Sequence, residues 1–207
     1  MGVLDRGLGR YFSIAALGAL RAAHVGIIGA GGLGSNVAMM LARSGVRNIT
    51  LIDPDIVDAS NLNRQAYFPD DVGAPKVLAL ARHLTVLEPA MQLVVHELSV
   101  TCENAEQLLA ACPIVVEAVD DAETKALLYE VFAREKDLYI TASGMAGVGG
   151  AVIVSRRPRP NVAAVGDFTL AVDDAHPPLA PRVMQAAALQ ADAVLEHILS
   201  SLTELGD

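Results

Sequence analysis

Gly29, Gly31 and Gly34 stand in G-x-G-x-x-G spacing within VGIIGAGGLGSNVAMMLARSGVRNITLID (25–53), directly after the apolar run 25–28. That spacing belongs to a strand–turn–helix unit that cradles phosphate. The first glycine permits the tight turn, the second lets backbone approach an anion, and the third lets helix pack on strand. A helix starting near Gly32 aims its free N–H groups and the positive end of its dipole at the ligand. Asp53 closes the next apolar run, where a carboxylate can hold ribose hydroxyls. Alone, the fingerprint reads as a dinucleotide oxidoreductase.

The segment that follows, DPDIVDASNLNRQAYFPDDVGAPK (53–76), changes that reading. It places Asp55, Asn61, Arg64, Gln65 and Lys76 just beyond the carboxyl end of the second strand, where open α/β sheets keep their ligand crevice. A dinucleotide pyrophosphate is held mostly by backbone N–H groups, so two cations and two amides exceed its needs. They suit a triphosphate, whose oxygens Arg and Lys neutralise and whose departing pyrophosphate they stabilise. Asp120 and Asp121 end the run IVVEAV at the same edge, where magnesium would find a hard oxygen ligand. Either aspartate can instead cap the next helix, a role that suits Asp121 better.

Holding these groups together requires alternating strands and helices. Strands are expected near 25–29, 49–53, 92–97, 114–118 and 138–142, and helices near 32–44, 74–88, 103–111 and 121–136. The continuous apolar runs 25–28 and 114–116 suit a parallel sheet covered on both faces. Past Gly144 the pattern changes. Gly147, Gly149 and Gly150 lead into 151–155, and 156–160 reads as a break, so antiparallel strands are expected at the sheet edge. A long amphipathic helix, about 181–202, follows Pro177, Pro178 and Pro181. The expected fold is α/β: a Rossmann-like, doubly wound, mainly parallel sheet with antiparallel strands added near the C-terminal part and a long C-terminal helix. It forms one domain, with an arm (1–20), a nucleotide-binding core (21–145) and an extension with the terminal helix (146–207).

The composition narrows the function classes. Of 207 residues 53% are hydrophobic and 19% charged, an apolar balance that a second subunit would cover. The net charge of −9, with no Lys/Arg run, argues against nucleic acid as a general partner. No segment reads as a signal peptide or membrane span. Cys102 and Cys112 are the only cysteines, which fits a reducing cytoplasm and excludes a four-thiolate zinc site. Both read as ordinary buried or edge thiols. The histidines show no metal-ligand spacing, and Asp173, Asp174 and His176 read as a solvated loop.

GAGGLGS, SNLNRQ, GAPK and the Asp120–Asp121 pair together resemble the ThiF/MoeB/HesA family, homologous to the adenylation domain of ubiquitin-activating enzymes. ASGMAG (142–147) and APRV (180–183) look like its short ThiF subgroup, linked to thiamine biosynthesis. The resemblance runs from about residue 21 to the end of the last helix. It implies an adenylyltransferase using ATP and magnesium, without zinc. The substrate would be the C-terminal glycine carboxylate of a small ubiquitin-like sulfur carrier (ThiS-like) ending in Gly-Gly, and the enzyme a homodimer. By position it implies that Gly31 approaches the nucleotide, Asp53 binds ribose, Ser60 to Arg64 line the phosphates, Lys76 holds them through the transition state and Asp120 ligates magnesium. Gly144, Gly147, Gly149 and Gly150 then read either as a narrow channel for the tail or as plain turns.

The chain departs from the family pattern in three places. The paired CxxC motifs of many relatives are missing, no cysteine follows residue 112 to serve a thioester or persulfide step, and Ser13 stands where an arginine is expected from a neighbouring subunit. Three other readings stay open: activation of a different carboxylate such as a modified tRNA base, an NAD-dependent oxidoreductase, and a nucleotide-binding scaffold without turnover.

Overall fold

The computed structural model describes residues 2–170 and 172–203. Two short helices open it, α1 (Val3–Leu8) and α2 (Ile14–Ala22). Strand and helix then alternate through β1 (His24–Ile28), α3 (Gly32–Arg43), β2 (Asn48–Ile52), α4 (Lys76–Leu87) and β3 (Gln92–His96). They continue through α5 (Ala105–Leu108), β4 (Ile114–Glu117), α6 (Ala122–Phe132) and β5 (Leu138–Ala142). A hairpin of β6 (Val154–Arg159) and β7 (Val162–Gly166) precedes α7 (Ala180–Thr203).

The strands form one sheet in the order β3-β2-β1-β4-β5-β7-β6. β1 pairs in parallel with β2 on one side and β4 on the other, so the strand order reverses at β1. Loops leaving β1 and β4 at their carboxyl ends diverge there and open a crevice. The Rossmann-like class and the long last helix are as the sequence suggests. The end of the sheet differs. β7 runs parallel to β5, and only the edge strand β6 is antiparallel. The tight turn at 160–161 forces the two hairpin strands to run oppositely, so only one of them can oppose the sheet. Residues 156–159, read as a break, lie inside β6, where an edge strand tolerates Pro158 and a register shift falls between Arg156 and Arg159.

Alternating strand residues bury on opposite faces. Val25, Ile27, Ile49, Leu51, Ile114 and Val116 pack with α3, α4 and α7, while Ile28, Ile52, Val115 and Tyr139 pack with α5 and α6. Val37 and Leu41 of α3 meet an alanine-rich stripe of α7, Ala186, Ala187 and Ala191, whose small side chains let the helices approach closely. The arm is tied down at the amino edge. Asp5 of α1 accepts from Arg21 (2.8 Å) and Arg47 (2.7 Å), and Arg47 also reaches Glu88 (3.1 Å).

Candidate active site

The turn after β1 is built as its glycine spacing demands. Gly29 has φ +95°, and a Cβ there would lie 2.6 Å from the Ala118 carbonyl oxygen. At Gly34 a Cβ would lie 1.8 Å from the Gly29 carbonyl oxygen, so only glycine lets α3 sit this close to the turn. Gly31 faces open space instead, with only the Gln65 amide nitrogen near, at 3.9 Å from the position of a Cβ. That is the bare backbone an anion can approach. Asp53 is buried and accepts from the amides of Ala30 (2.6 Å) and Asp55 (2.8 Å). Burial pushes its carboxyl above the usual range, against those amides and the Lys76 charge. Asp53 therefore fastens the glycine turn to the end of β2, and its oxygens keep lone pairs for a hydroxyl.

The polar loop is pinned onto the first turn of α3. Ser35 Oγ donates to the Gly31 carbonyl (2.6 Å) and accepts from the Ala66 amide (3.0 Å). Asn36 Nδ2 donates to the carbonyls of Gly32 (2.7 Å) and Arg64 (2.9 Å). The Tyr67 hydroxyl lies 2.8 Å from the Ala30 carbonyl oxygen and 3.2 Å from that of Lys76, bridging the glycine turn to the start of α4. Sequence spacing does not single out Ser35, Asn36 or Tyr67. Their only signal is position, immediately after the glycines and after Gln65.

The loop's named residues divide into supports and free groups. Asp58 caps the turn 59–61 by accepting from the Ser60 amide (2.8 Å), while Asn61 Oδ1 accepts from the Asp58 amide (3.1 Å), so Ser60 and Asn61 first shape the loop. The stem of Arg64 passes Gly32, and its guanidinium donates to the Ser60 carbonyl (3.2 Å) and Asn63 Oδ1 (2.9 Å) on the exposed side of the loop. Gln65 is buried, and its Oε1 has no partner among the described residues. Lys76, the first residue of α4, is buried with its ammonium 2.7 Å from the exposed Asp55 carboxylate. Asp55 thus aims the lysine.

At the end of β4 the two aspartates separate cleanly. Asp121 is the N-cap of α6, accepting from the amide and hydroxyl of Thr124, both at 2.7 Å. Asp120 is exposed and makes no hydrogen bond or ion pair among the described residues. It follows a carboxylate that local spacing does not reveal. Glu117, fully buried, accepts from Lys125 (2.7 Å), the Thr141 hydroxyl (2.5 Å) and the Val119 amide (2.9 Å), which fixes the path of the chain toward Asp120. No cluster of three metal-ligating side chains occurs among the described residues. A carboxylate such as Asp120, free of partners among the described residues, is the kind of hard oxygen group that could serve magnesium, which takes one or two carboxylates and fills its octahedron with phosphate oxygens and water.

The later glycines follow β5 at the same carboxyl edge of the sheet. Gly144, Gly147, Gly149 and Gly150 have φ between +65° and +84°, so backbone conformation alone requires glycine at each. Cys112 lies buried before β4, at the amino edge, where burial pushes its thiol up, and Cys102 is an exposed loop residue. Neither stands at the crevice. Ser13 accepts from the Ala16 amide (3.1 Å) as the N-cap of α2. Asp173 and His176 pair with each other (2.9 Å) in an exposed loop.

Comparisons with known proteins place the chain in a family. The ThiF family model matches residues 5–201. The tRNA threonylcarbamoyladenosine dehydratase of Haemophilus influenzae is 34% identical over 143 residues, covering 68% of this chain and 55% of that protein. The sulfur carrier protein adenylyltransferase of Thermus thermophilus is 37% identical over 110 residues, covering 53% of this chain and 41% of that protein. The chain thus spans about half the length of these relatives. The crystal structure of the Escherichia coli tRNA N6-threonylcarbamoyladenosine dehydratase in complex with ATP shares the fold. Its TM-score is 0.86 at 24% identity, covering 96% of this chain and 95% of that one.

Proposed function

The chain belongs to the ThiF family, and from that premise we propose that it is an ATP-dependent adenylyltransferase. Its substrate in this reading is the C-terminal glycine carboxylate of a small ubiquitin-like sulfur carrier, as in thiamine biosynthesis. The observation that supports the reading is that Lys76, Arg64, Gln65, whose Oε1 has no partner among the described residues, and Asp120, which bonds to nothing among them, all stand at the carboxyl edge that carries the glycine turn. In the reaction a carboxylate oxygen bonds to the α-phosphorus, the bond to the bridging oxygen breaks, and pyrophosphate leaves with that electron pair. Such a transfer asks for orientation and charge neutralisation more than for an acid or base.

Each group has a role in that scheme. The amides behind Gly31 and Gly32 receive the phosphates at the start of α3. Arg64, swinging from its own loop, and Lys76, aimed by Asp55, neutralise charge that grows on the departing oxygens. The Gln65 amide nitrogen, beside Gly31, would donate to a phosphate oxygen, and Asp53 receives the ribose. Asp120 would hold magnesium, which would supply positive charge against the phosphate oxygens. A second copy of the chain would cover the exposed apolar side chains of Ile56, Phe68, Val72 and Leu78 around loop 53–76 and α4.

The relatives named as tRNA dehydratases support a second reading, in which the activated carboxylate belongs to a modified tRNA base. The net charge of −9 weighs against RNA as substrate. ATP–pyrophosphate exchange separates the readings. With ATP and magnesium, exchange is expected on adding a Gly-Gly-ending carrier and not on adding threonylcarbamoylated tRNA. The reverse result replaces the carrier with RNA, and tight NADH binding without exchange ends the adenylation reading.

A further inference from the structure

The start of α7 contains an ion pair that the scheme above does not use. Arg182 and Asp167 are both buried, and they bond to each other through Nη2. Arg182 Nη1 also donates to the carbonyls of Gly149 and Ala151, the latter at 3.1 Å. One guanidinium fork thus clasps both the end of β7 and the far limb of the glycine loop.

Asp167 is itself locked. Its Oδ1 accepts from the amides of Thr169 (2.8 Å) and Leu170 (2.9 Å), and its own amide donates to the Gly144 carbonyl (2.9 Å). Burial opposes its ionisation, but those amides, the Thr169 hydroxyl and the Arg182 charge outweigh burial and hold the carboxyl below its usual range. A Cβ at Gly144 would come within 2.2 Å of Asp167 Oδ1. The next residue, Phe168, sits at φ +60°, an uncommon conformation for a bulky side chain and a mark of local strain.

The neighbours of Arg182 lead to the nucleotide. Val183 packs on Gly32, where a Cβ would lie 2.9 Å from its Cγ1. Just before the helix, the Pro178 carbonyl accepts from Asn63 of the polar loop (3.2 Å), and the Pro177 carbonyl accepts from the Gly147 amide (3.0 Å). One helix start therefore touches the glycine turn, the polar loop and the glycine loop. A buried ion pair seldom stabilises more than an apolar pair of equal volume, so its virtue here lies in geometry.

We propose that Arg182, oriented by Asp167, is a positioning residue that sets the glycine loop 144–151 at a fixed distance from the Gly31–Gly32 turn, so that an acceptor tail lying along the loop meets the nucleotide in register. This rests on the adenylation reading. The tail it suits is an extended backbone with little side-chain bulk, because four of the eight residues 144–151 are glycines, which present backbone rather than side chain. Arg182 acts through the loop and does not touch the reacting atoms.

The test uses Arg182→Lys, which keeps the charge but loses the fork, and the double variant Arg182→Met with Asp167→Leu, which removes the pair without leaving a lone buried charge. Three quantities are measured: ATP affinity by calorimetry, carrier-dependent ATP–pyrophosphate exchange, and amide hydrogen exchange of residues 144–151. Both variants are expected to bind ATP within about threefold of wild type while carrier-dependent exchange falls about 10²-fold, the cost of a misplacement near 1 Å. Loop amides should exchange at least about tenfold faster, since local opening then needs no broken clasp. Loss of ATP affinity in step with turnover would give Arg182 a general structural role and overturn the proposal. Normal carrier turnover, with or without a loosened loop, overturns it equally. If the wild-type protein adenylates no carrier, the reading of function fails, and the amide exchange still decides separately whether Arg182 holds the loop.

Discussion

The two edges of the sheet use the same residue types in opposite ways. At the amino edge Asp5, Arg21, Arg47 and Glu88 form a closed cluster in which each charge meets an opposite charge. At the carboxyl edge the charges have capacity to spare. Asp120 bonds to nothing among the described residues, Gln65 keeps a buried oxygen unmatched, Arg64 rests on its own exposed loop, and Lys76 is held by a carboxylate open to solvent. A buried polar group without a partner costs free energy, and at the crevice the proposed nucleotide would offset that cost. The contrast separates a cluster that holds an arm in place from one whose spare groups the proposed function would assign to nucleotide and metal.

Breaking the open cluster should have the largest effect, and on rate. Arg64→Ala and Lys76→Ala are each expected to lower carrier-dependent exchange by roughly 10²–10³-fold, the usual loss for one preorganised charge stabiliser, with circular dichroism unchanged. Asp120→Asn should fall in the same range and respond more weakly to added magnesium. Near-normal exchange by any of the three removes that residue from the site.

How much of this is legible in the sequence follows from the range of each interaction. The glycine turn, Asp53 and the groups on loop 53–76 announce themselves because their partners lie within one strand–helix unit. Even there, spacing cannot show that Asp55 aims Lys76 or that Asn61 first caps a turn. Glu117 with Thr141, Gln190 with the Glu117 carbonyl (3.1 Å), and Asp167 with Arg182 join distant segments and leave no local pattern. The direction of β7 is hidden for a similar reason. Its apolar residues suit a buried strand of either sense, and only the return of the chain through 143–153 decides it. Helices α1 and α2 are likewise fixed by long-range contacts, the Asp5 cluster for one and packing on α7 for the other.

Breaking the closed cluster should cost stability and spare the chemistry. Asp5→Asn leaves Arg47 and Arg21 without their shared anion, and a loss of about 2–3 kcal/mol is expected, lowered from the fully buried value because Arg21 is partly solvated. Burial opposes ionisation of Asp5, yet bonds and charges from Arg47 and Arg21 outweigh burial and hold its carboxyl below the usual range. A carboxyl depressed on folding contributes stability that is present above its unfolded value, near 3.8, and is lost as pH falls through the folded value. Urea unfolding should therefore show the full gap between wild type and Asp5→Asn at pH 7, closing below about pH 4. A gap independent of pH would assign the loss to packing of α1 instead.

The smallest expected effect separates the adjacent aspartates at the end of β4, where the two kinds of charge stand side by side. Asp121 belongs with the closed cluster in kind, since Thr124 engages its carboxylate through both amide and hydroxyl and draws its pKa down. Asp121→Ala removes an N-cap and should lower the melting temperature measurably. Asp120→Asn removes no bond seen in the fold and should leave stability within about 0.5 kcal/mol of wild type. Exchange activity should order the two variants the other way, with Asp121→Ala close to wild type at a temperature where it stays folded. If Asp120→Asn instead proved the less stable variant while keeping its specific activity, Asp120 would be a structural residue, and the open cluster would end at Lys76.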